Sequence, residues 1–205
     1  MIETKRLILR PFHEQDTEAL LEIMKDKEVN TFLPWFPFKS LEETKKYLKS
    51  FYLDYQGEGF RYAICLKDDN KPIGYIHVGD GDSFDFGYAL RKEFWRQGIV
   101  SEAANAFIEM LKTTDIPYIT ATHDVLNPRS GHVMKAIGMK YCYTYAEHWI
   151  AKRYRCKLRM YQMNFDGSDS FIKNIGICIL IESKIWKMIV ILPQVECNKK
   201  KTSVY

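Results

Sequence analysis

The chain contains no run of 18 uncharged apolar residues, so no segment reads as a membrane-spanning helix. It has no CxxC pair. Its five cysteines, Cys65, Cys142, Cys156, Cys178 and Cys197, are scattered and odd in number, which reads as reduced cytosolic thiols and argues against a zinc site. Charge of one sign is also missing. Thirty basic residues stand against 26 acidic ones, and a net charge of +4 is too mild for a nucleic-acid protein. The opening "MIETKRLILRPF" shows neither the apolar region nor the small-residue cleavage site of a secretory signal, so a cytoplasmic protein is expected. Two phosphate signatures are absent as well. There is no GxxxxGK[ST], and the one glycine in the best candidate turn cannot make GxGxxG.

What is present is enough for a sizeable core: 46% of the 205 residues are hydrophobic and 14% aromatic, consistent with one domain and an extension. Residues 5–10 alternate like a strand that Pro11 ends. In "DTEALLEIMKD", Ala19, Leu20, Ile23 and Met24 form one helical stripe. An aromatic loop with two prolines, residues 33–38, precedes Ser40 and Glu43, which have the spacing of a capping box. The helix they start carries Leu41, Tyr47, Leu48, Phe51 and Tyr55 toward a core. Three strands follow at 60–66, 73–79 and 84–90. Short polar, Gly-rich turns separate them, which favours antiparallel pairing.

The period then changes. Val100, Ala103, Ala104, Phe107, Ile108 and Leu111 repeat at helical spacing. A strand at 118–124 comes next, then a short helix in "NPRSGHVMKAIG" with Val133, Met134 and Ile137 inward and Gly138 closing it. Aromatic-rich strands at about 140–149 and 153–165 complete the body. The order predicts an α+β domain around one sheet, with a strand–helix–strand crossover in its middle.

The stretch "RKEFWRQGIVSEA", Arg91–Ala103, places Gly98 between a strand and a helix. A helix N-terminus offers unpaired N–H groups and partial positive charge, and Gly lets an anion approach. Arg91, Lys92 and Arg96 could add charge. The plain alternative is that many helices simply begin after a glycine.

Trp95-Arg96-Gln97-Gly98-Ile99-Val100 resembles the acyl-CoA-binding turn of the Gcn5-related N-acetyltransferase (GNAT) superfamily, [RQ]-x-x-G-x-[GA], from which Trp95 and Val100 depart. Trp95 with the following "SEA" is similar to the RimJ/RimL-like branch, which acetylates ribosomal-protein N-termini. "ETKRLILRPF", "DFGYAL" and "NPRSGHVMKAIGMKY" resemble that branch's opening strand, central strand and late helix, in the right order across residues 1–166.

The resemblance implies a GNAT-like mixed, mostly antiparallel central sheet flanked by helices, with splayed central strands. It implies acetyl-CoA as co-substrate and no metal. The pantetheine arm would pair with backbone near Tyr88, Ala89 and Leu90. The pyrophosphate would sit on amides of Arg96, Gln97, Gly98, Ile99, Val100 and Ser101, and Asn127 and Ser130 would line the far side. A backbone N–H near Leu90 would polarise the thioester carbonyl.

Chemistry then requires a neutral amine. A peptide α-amine, with a pKa of about 7.7–8.0, needs far less help than a lysine at about 10.4. Asp85 is the candidate base, acting through water; the plain alternatives are a solvated strand carboxylate or an arginine's partner. The resemblance places the usual acid, a Tyr, at Met134, which has no proton to give. Ser130, water or unaided thiolate departure remain, and Tyr141 is nearby in sequence. Trp35, Phe36 and Phe38 are either core cover or, by the resemblance, the wall of the amine site. His13, His77, His123 and His132 stand singly and read as structural or surface residues.

The expected activity is acetylation of a primary amine, either a protein N-terminal α-amine or a small molecule. The competing reading is a non-catalytic acyl-CoA-binding or partner-binding module on the same fold. Residues 167–205 fall outside the resemblance. Their two apolar runs, "NIGICILI" and "MIVILPQV", could extend a sheet edge or mediate a homodimer, could be aggregation-prone, or could be a read-through extension. Glu182, Lys184 and Lys187 interrupt them and argue against a membrane anchor.

Overall fold

The computed structural model describes residues 1–168 together with Ser170 and Phe171, so both apolar runs of the tail and the expectations attached to them lie outside the described residues. Eight strands and four α-helices follow the expected order: β1 (Ile2–Glu3), β2 (Leu7–Arg10), α1 (Thr17–Met24), α2 (Leu41–Leu48), β3 (Phe60–Leu66), β4 (Pro72–Val78), β5 (Phe86–Leu90), α3 (Ile99–Leu111), β6 (Tyr118–Asp124), α4 (Pro128–Ala136), β7 (Lys140–Trp149) and β8 (Tyr154–Asn164).

The expectation of one continuous sheet needs correction. A five-stranded antiparallel sheet, β1-β2-β3-β4-β5, and a three-stranded antiparallel sheet, β6-β8-β7, are linked in backbone pairing, among the described residues, by an isolated parallel bridge between Asp85 and Thr120. There the Thr120 N–H donates to the Phe84 carbonyl at 3.2 Å, and the Thr120 hydroxyl donates to the Ser83 carbonyl at 2.7 Å. Beyond that point β5 and β6 part. This is the splay expected of the central strands.

Helices cover both faces of the larger sheet. On one side Ala103, Ala104, Phe107 and Leu111 of α3 are fully buried against Leu7, Leu9, Ile64 and Ile76, and α4 adds Met134. The helical spacing in the sequence is the direct cause: one stripe faces the sheet. Truncating Phe107 to Ala would remove about 3–5 kcal/mol. On the other side α1 and α2 pack Leu20, Ile23, Met24 and Leu48 against Ala63, Cys65, Tyr75 and Ala89.

Ser40 starts α2 as expected, its hydroxyl accepting from the Glu43 N–H at 3.2 Å. Glu43 closes the cap one residue early, accepting from the Lys39 N–H at 2.8 Å. Leu41 departs from expectation. As the first residue of α2 it is exposed rather than directed at the core.

Candidate active site

Strand β5 is the edge of its sheet on the side of the gap. The Gly79 N–H donates to the Asp85 carbonyl at 2.9 Å, and the Arg91 N–H to the Ile73 carbonyl at 2.8 Å. These bonds fix the alternation of an antiparallel pair. Odd-numbered residues of β5 direct their backbone groups to β4, as Ala89 does opposite Tyr75. The N–H groups of Tyr88 and Leu90 therefore face the gap, while Ala89's backbone is engaged. The Leu90 carbonyl accepts from Trp95 Nε1 at 2.7 Å, which leaves its N–H as the outward group.

The chain next makes a turn held by two left-handed residues, Arg96 at φ 60° and Gly98 at φ 71°. Gly98 tolerates this conformation freely; Arg96 adopts it against the usual preference of a side-chain-bearing residue. Gly98 is the N-cap of the 13-residue α3, so the amides of Ile99, Val100 and Ser101 open the helix without intrahelical acceptors. Arg6 braces the turn from behind. It donates through Nη1 to the Gln97 carbonyl at 3.0 Å and through Nε to Glu102 at 2.7 Å. Neither Arg6 nor Glu102 drew attention in the sequence, because the contacts span more than 90 residues.

Outside the turn lies an open cleft of about 840 Å³, lined in part by Arg91, Lys92, Trp95, Arg96 and Arg129. The charges divide unexpectedly. Arg91 is paired with Glu93, and Lys92 with Asp26 and Glu28. Arg96 and Arg129 have no carboxylate partner among the described residues. Arg129, at the start of α4, lies over the Trp95 ring at 4.3 Å. It is the cation that sequence reading missed; "NPRS" placed it near the turn only once the fold was known.

Helix α4 flanks the gap from the other side. Asn127 is its N-cap, with no side-chain capping bond. Ser130 is half-buried and meets Tyr88: the Tyr88 hydroxyl lies 2.8 Å from Ser130 Oγ and 3.1 Å from the Ser130 carbonyl. Burial pushes the Tyr88 phenol up to about 12, with the Ser130 bond opposing. Met134 is buried in the core, as its apolar character requires. Tyr141 points elsewhere: it is exposed and hydrogen-bonded to Thr144 at 2.9 Å.

Asp85 sits at the point of divergence. It is half-buried and has no ion-pair partner among the described residues. Burial, and secondarily the charge of Glu147, lift its carboxyl to about 6. Glu147 is itself raised by burial, with Trp149 and Tyr145 offsetting part of the rise. Tyr145, Glu147 and Trp149 alternate along one face of β7. That alternation was visible in "YAEHW", but nothing local revealed that the β7–β8 hairpin brings Glu147 into the field of Asp85. The hairpin turn also reaches the α1–α2 loop, where Lys152 donates to the carbonyls of Asn30 at 3.1 Å and Thr31 at 3.3 Å.

The aromatic loop divides three ways. Phe38 is buried in the α1–α2 core, Trp35 is half-buried and donates to Asn30 Oδ1 at 3.2 Å, and Phe36 is exposed. The His77 ring lies over Gly87, where an added Cβ would come within 2.5 Å of it. Burial, with Arg61 nearby, lowers His77 to about 4. Among the described residues no group of three His, Cys, Asp or Glu is placed to hold a metal, and no helix is long and apolar enough to cross a membrane.

The α+β fold thus parts its central strands beside a left-handed turn and a cleft lined by both acidic and basic side chains. Comparison with known proteins identifies the family. A family model described as "Acetyltransferase (GNAT) domain" matches residues 6–140, and the chain belongs to that family. It is 30% identical over 145 residues to "Uncharacterized N-acetyltransferase YnaD" of Bacillus subtilis (strain 168), covering 68% of this chain and 82% of that protein. In fold it resembles a GNAT-family acetyltransferase from Bacillus anthracis, at TM-score 0.72 and 22% identity, over 80% of this chain and 98% of that one. It also resembles RimL, a ribosomal L7/L12 α-N-protein acetyltransferase solved with coenzyme A, at TM-score 0.69 and 24% identity, over 80% and 97%. The chain is an N-acetyltransferase by family.

Proposed function

We propose that residues 1–166 transfer an acetyl group from acetyl-CoA to a primary amine by direct attack on the thioester, with residues 167–205 as an appended extension. One observation carries the reading. The N–H groups of Tyr88 and Leu90 face away from β4, the chain then passes through the turn to the free amides at the start of α3, and Arg96 and Arg129 line the cleft outside that turn without a carboxylate partner among the described residues. A strand-like amide chain ending in phosphates matches that sequence of groups. The pantetheine arm pairs with Tyr88 and Leu90. The pyrophosphate lies on the turn from Arg96 to Ser101, and Asn127 and Ser130 close the far side. The Leu90 N–H faces the thioester oxygen as negative charge develops there.

Asp85 accepts the amine's proton, through water. A carboxyl at about 6 is a modest base, best matched to an amine already partly neutral near pH 7. That favours a protein N-terminal α-amine, or a small-molecule amine of similar basicity, over an ordinary lysine side chain. The likeness in fold to RimL, together with Trp95 and "SEA" after the turn, supports placement in the RimJ/RimL-like branch. Trp35 and Phe36, beside the β7–β8 hairpin, stand where they can border the acceptor; Phe38 supports them from the core.

The test is release of CoA thiol from acetyl-CoA by the full chain, with free-N-terminus peptides, polyamines and aminoglycosides as acceptors. Turnover with peptides or a small amine of low pKa is expected. Turnover confined to the polyamines, whose primary amines are about as basic as a lysine side chain, would contradict the acceptor assignment.

A further inference from the structure

The turn that starts α3 holds a conformation that one of its residues does not favour. Arg96 carries a side chain at φ 60°, and Gly98 follows at φ 71°. A side-chain-bearing residue so placed stays there only where its surroundings hold it. Between the two lies the Gln97 carbonyl. Among the described residues, the side chain bonded to that carbonyl is Arg6, through Nη1 at 3.0 Å.

Arg6 is itself anchored. Its carbonyl accepts from the Lys67 N–H at 3.0 Å, at the end of β3. Its N–H donates to Glu102 Oε1 at 2.9 Å and its Nε to Glu102 Oε2 at 2.7 Å. The Thr4 hydroxyl donates to the same carboxylate at 2.6 Å, so the turn between β1 and β2 is tied to the first turn of α3. Burial opposes the charge on Glu102, but the bonds from Thr4 and Arg6 outweigh it and hold the carboxyl below its ordinary range. No peptide bond among the described residues is cis, so the peptide between Gln97 and Gly98 is planar and trans, with its carbonyl and its N–H on opposite sides. With the carbonyl drawn to Arg6, the Gly98 N–H points away from Arg6.

We propose that Arg6 is a positioning residue for the cofactor turn: by holding the Gln97 carbonyl back, it presents the Gly98 N–H, beside the amides of Ile99, Val100 and Ser101, to the pyrophosphate of CoA. The inference rests on the acetyl-CoA reading of this turn. Arg6 acts through the backbone and does not need to touch the ligand. Glu102 fixes the guanidinium in place, and the guanidinium in turn cancels a carboxylate charge that would repel phosphate at this helix end. The ordering of the turn is thus complete before the ligand arrives, and binding does not bear its cost.

The experiment needs no knowledge of the acceptor. CoA is titrated into the full chain by calorimetry, and the backbone amide resonances of residues 98–101 are followed in isotope-labelled protein. In the wild type the Gly98 amide proton is expected to move downfield when CoA binds. Arg6→Met should bind CoA about tenfold more weakly, the scale of one charge-assisted hydrogen bond, and should lose most of the Gly98 shift at saturating CoA. Combining Arg6→Met with Glu102→Gln removes both members of the ion pair. This double variant should stay weakened, because the Gln97 carbonyl is still unheld. Thermal unfolding shows that each variant is folded, and Arg6→Gln carries the test if Arg6→Met is unstable. A return to wild-type affinity in the double variant would make Arg6 a counter-charge alone and overturns the proposal. An unchanged Gly98 shift in folded, CoA-bound Arg6→Met overturns it as well. A wild type that fails to bind CoA, or binds it with no change at residues 98–101, overturns instead the reading on which the proposal rests.

Discussion

Asp85 and Thr120 form the one bridge between the two sheets among the described residues, and Asp85 is also the carboxyl whose acidity the fold perturbs. Structure and chemistry thus meet at one position. The bridge ends pairing between β5 and β6, the separation opens the gap, and the side chain at the junction lies where burial and Glu147 raise its pKa. Thr120 holds the junction through its hydroxyl bond to the Ser83 carbonyl. Thr120→Val keeps the shape and removes that bond. It should lower unfolding free energy by about 1 kcal/mol, measured by urea denaturation.

Asp85 supplies a pH prediction with a definite sign. Its folded pKa of about 6 lies above its ordinary 3.8, so the folded state holds the proton more tightly than the unfolded chain. The stability associated with this group is fully present below about 3.8 and is lost as pH rises through about 6. Asp85→Asn should therefore raise the melting temperature at neutral pH, with a gain that shrinks as pH falls from 6 toward 4. The same variant should lose about a hundredfold in kcat. A melting temperature lowered at pH 7 would show that the carboxylate is stabilised by partners, contrary to this account.

The unequal pairing of the cleft's cations gives a contrast that sequence alone could not supply. Arg96→Ala and Arg129→Ala should each weaken acetyl-CoA binding about tenfold, the effect of removing a charge-assisted contact. Arg91→Ala, whose guanidinium is engaged by Glu93, should change it far less. Equal losses at all three positions, measured by calorimetry, would mean that the ion pairs do not decide which cation meets the ligand.

For the aromatic loop, Trp35→Ala is expected to raise the acceptor's KM while leaving the dissociation constant of acetyl-CoA unchanged. Steady-state kinetics on an acceptor turned over by the wild type decide the matter. Parallel losses in both constants would assign Trp35 to the core that includes Phe38 and Leu48.

Much of this arrangement was legible in the chain because its causes are local. The stripe Ala103, Ala104, Phe107 and Leu111 announced α3. The polar turns between 60 and 90 announced an antiparallel meander, and Gly98 marked the turn it now occupies in a left-handed conformation. What escaped depends on contacts distant in sequence. Arg91 and Lys92 looked equivalent to Arg96 until Glu93, Asp26 and Glu28 were seen to engage them. Arg129 joins the cleft only because α4 returns beside Trp95. Glu147 influences Asp85 only because a long hairpin carries it there. The single sheet expected from the order of elements became two, since the alternation of residues along a strand says nothing about where pairing stops.

Titration of acetyl-CoA into the wild type and into Gly98→Glu tests the central claim most directly. Glutamate at φ 71° adds backbone strain of about 1–2 kcal/mol and places a negative charge at the α3 N-terminus. The account predicts heat of binding for the wild type and none for a variant that still melts cooperatively. Undiminished binding by the folded variant would show that the cofactor does not occupy this turn.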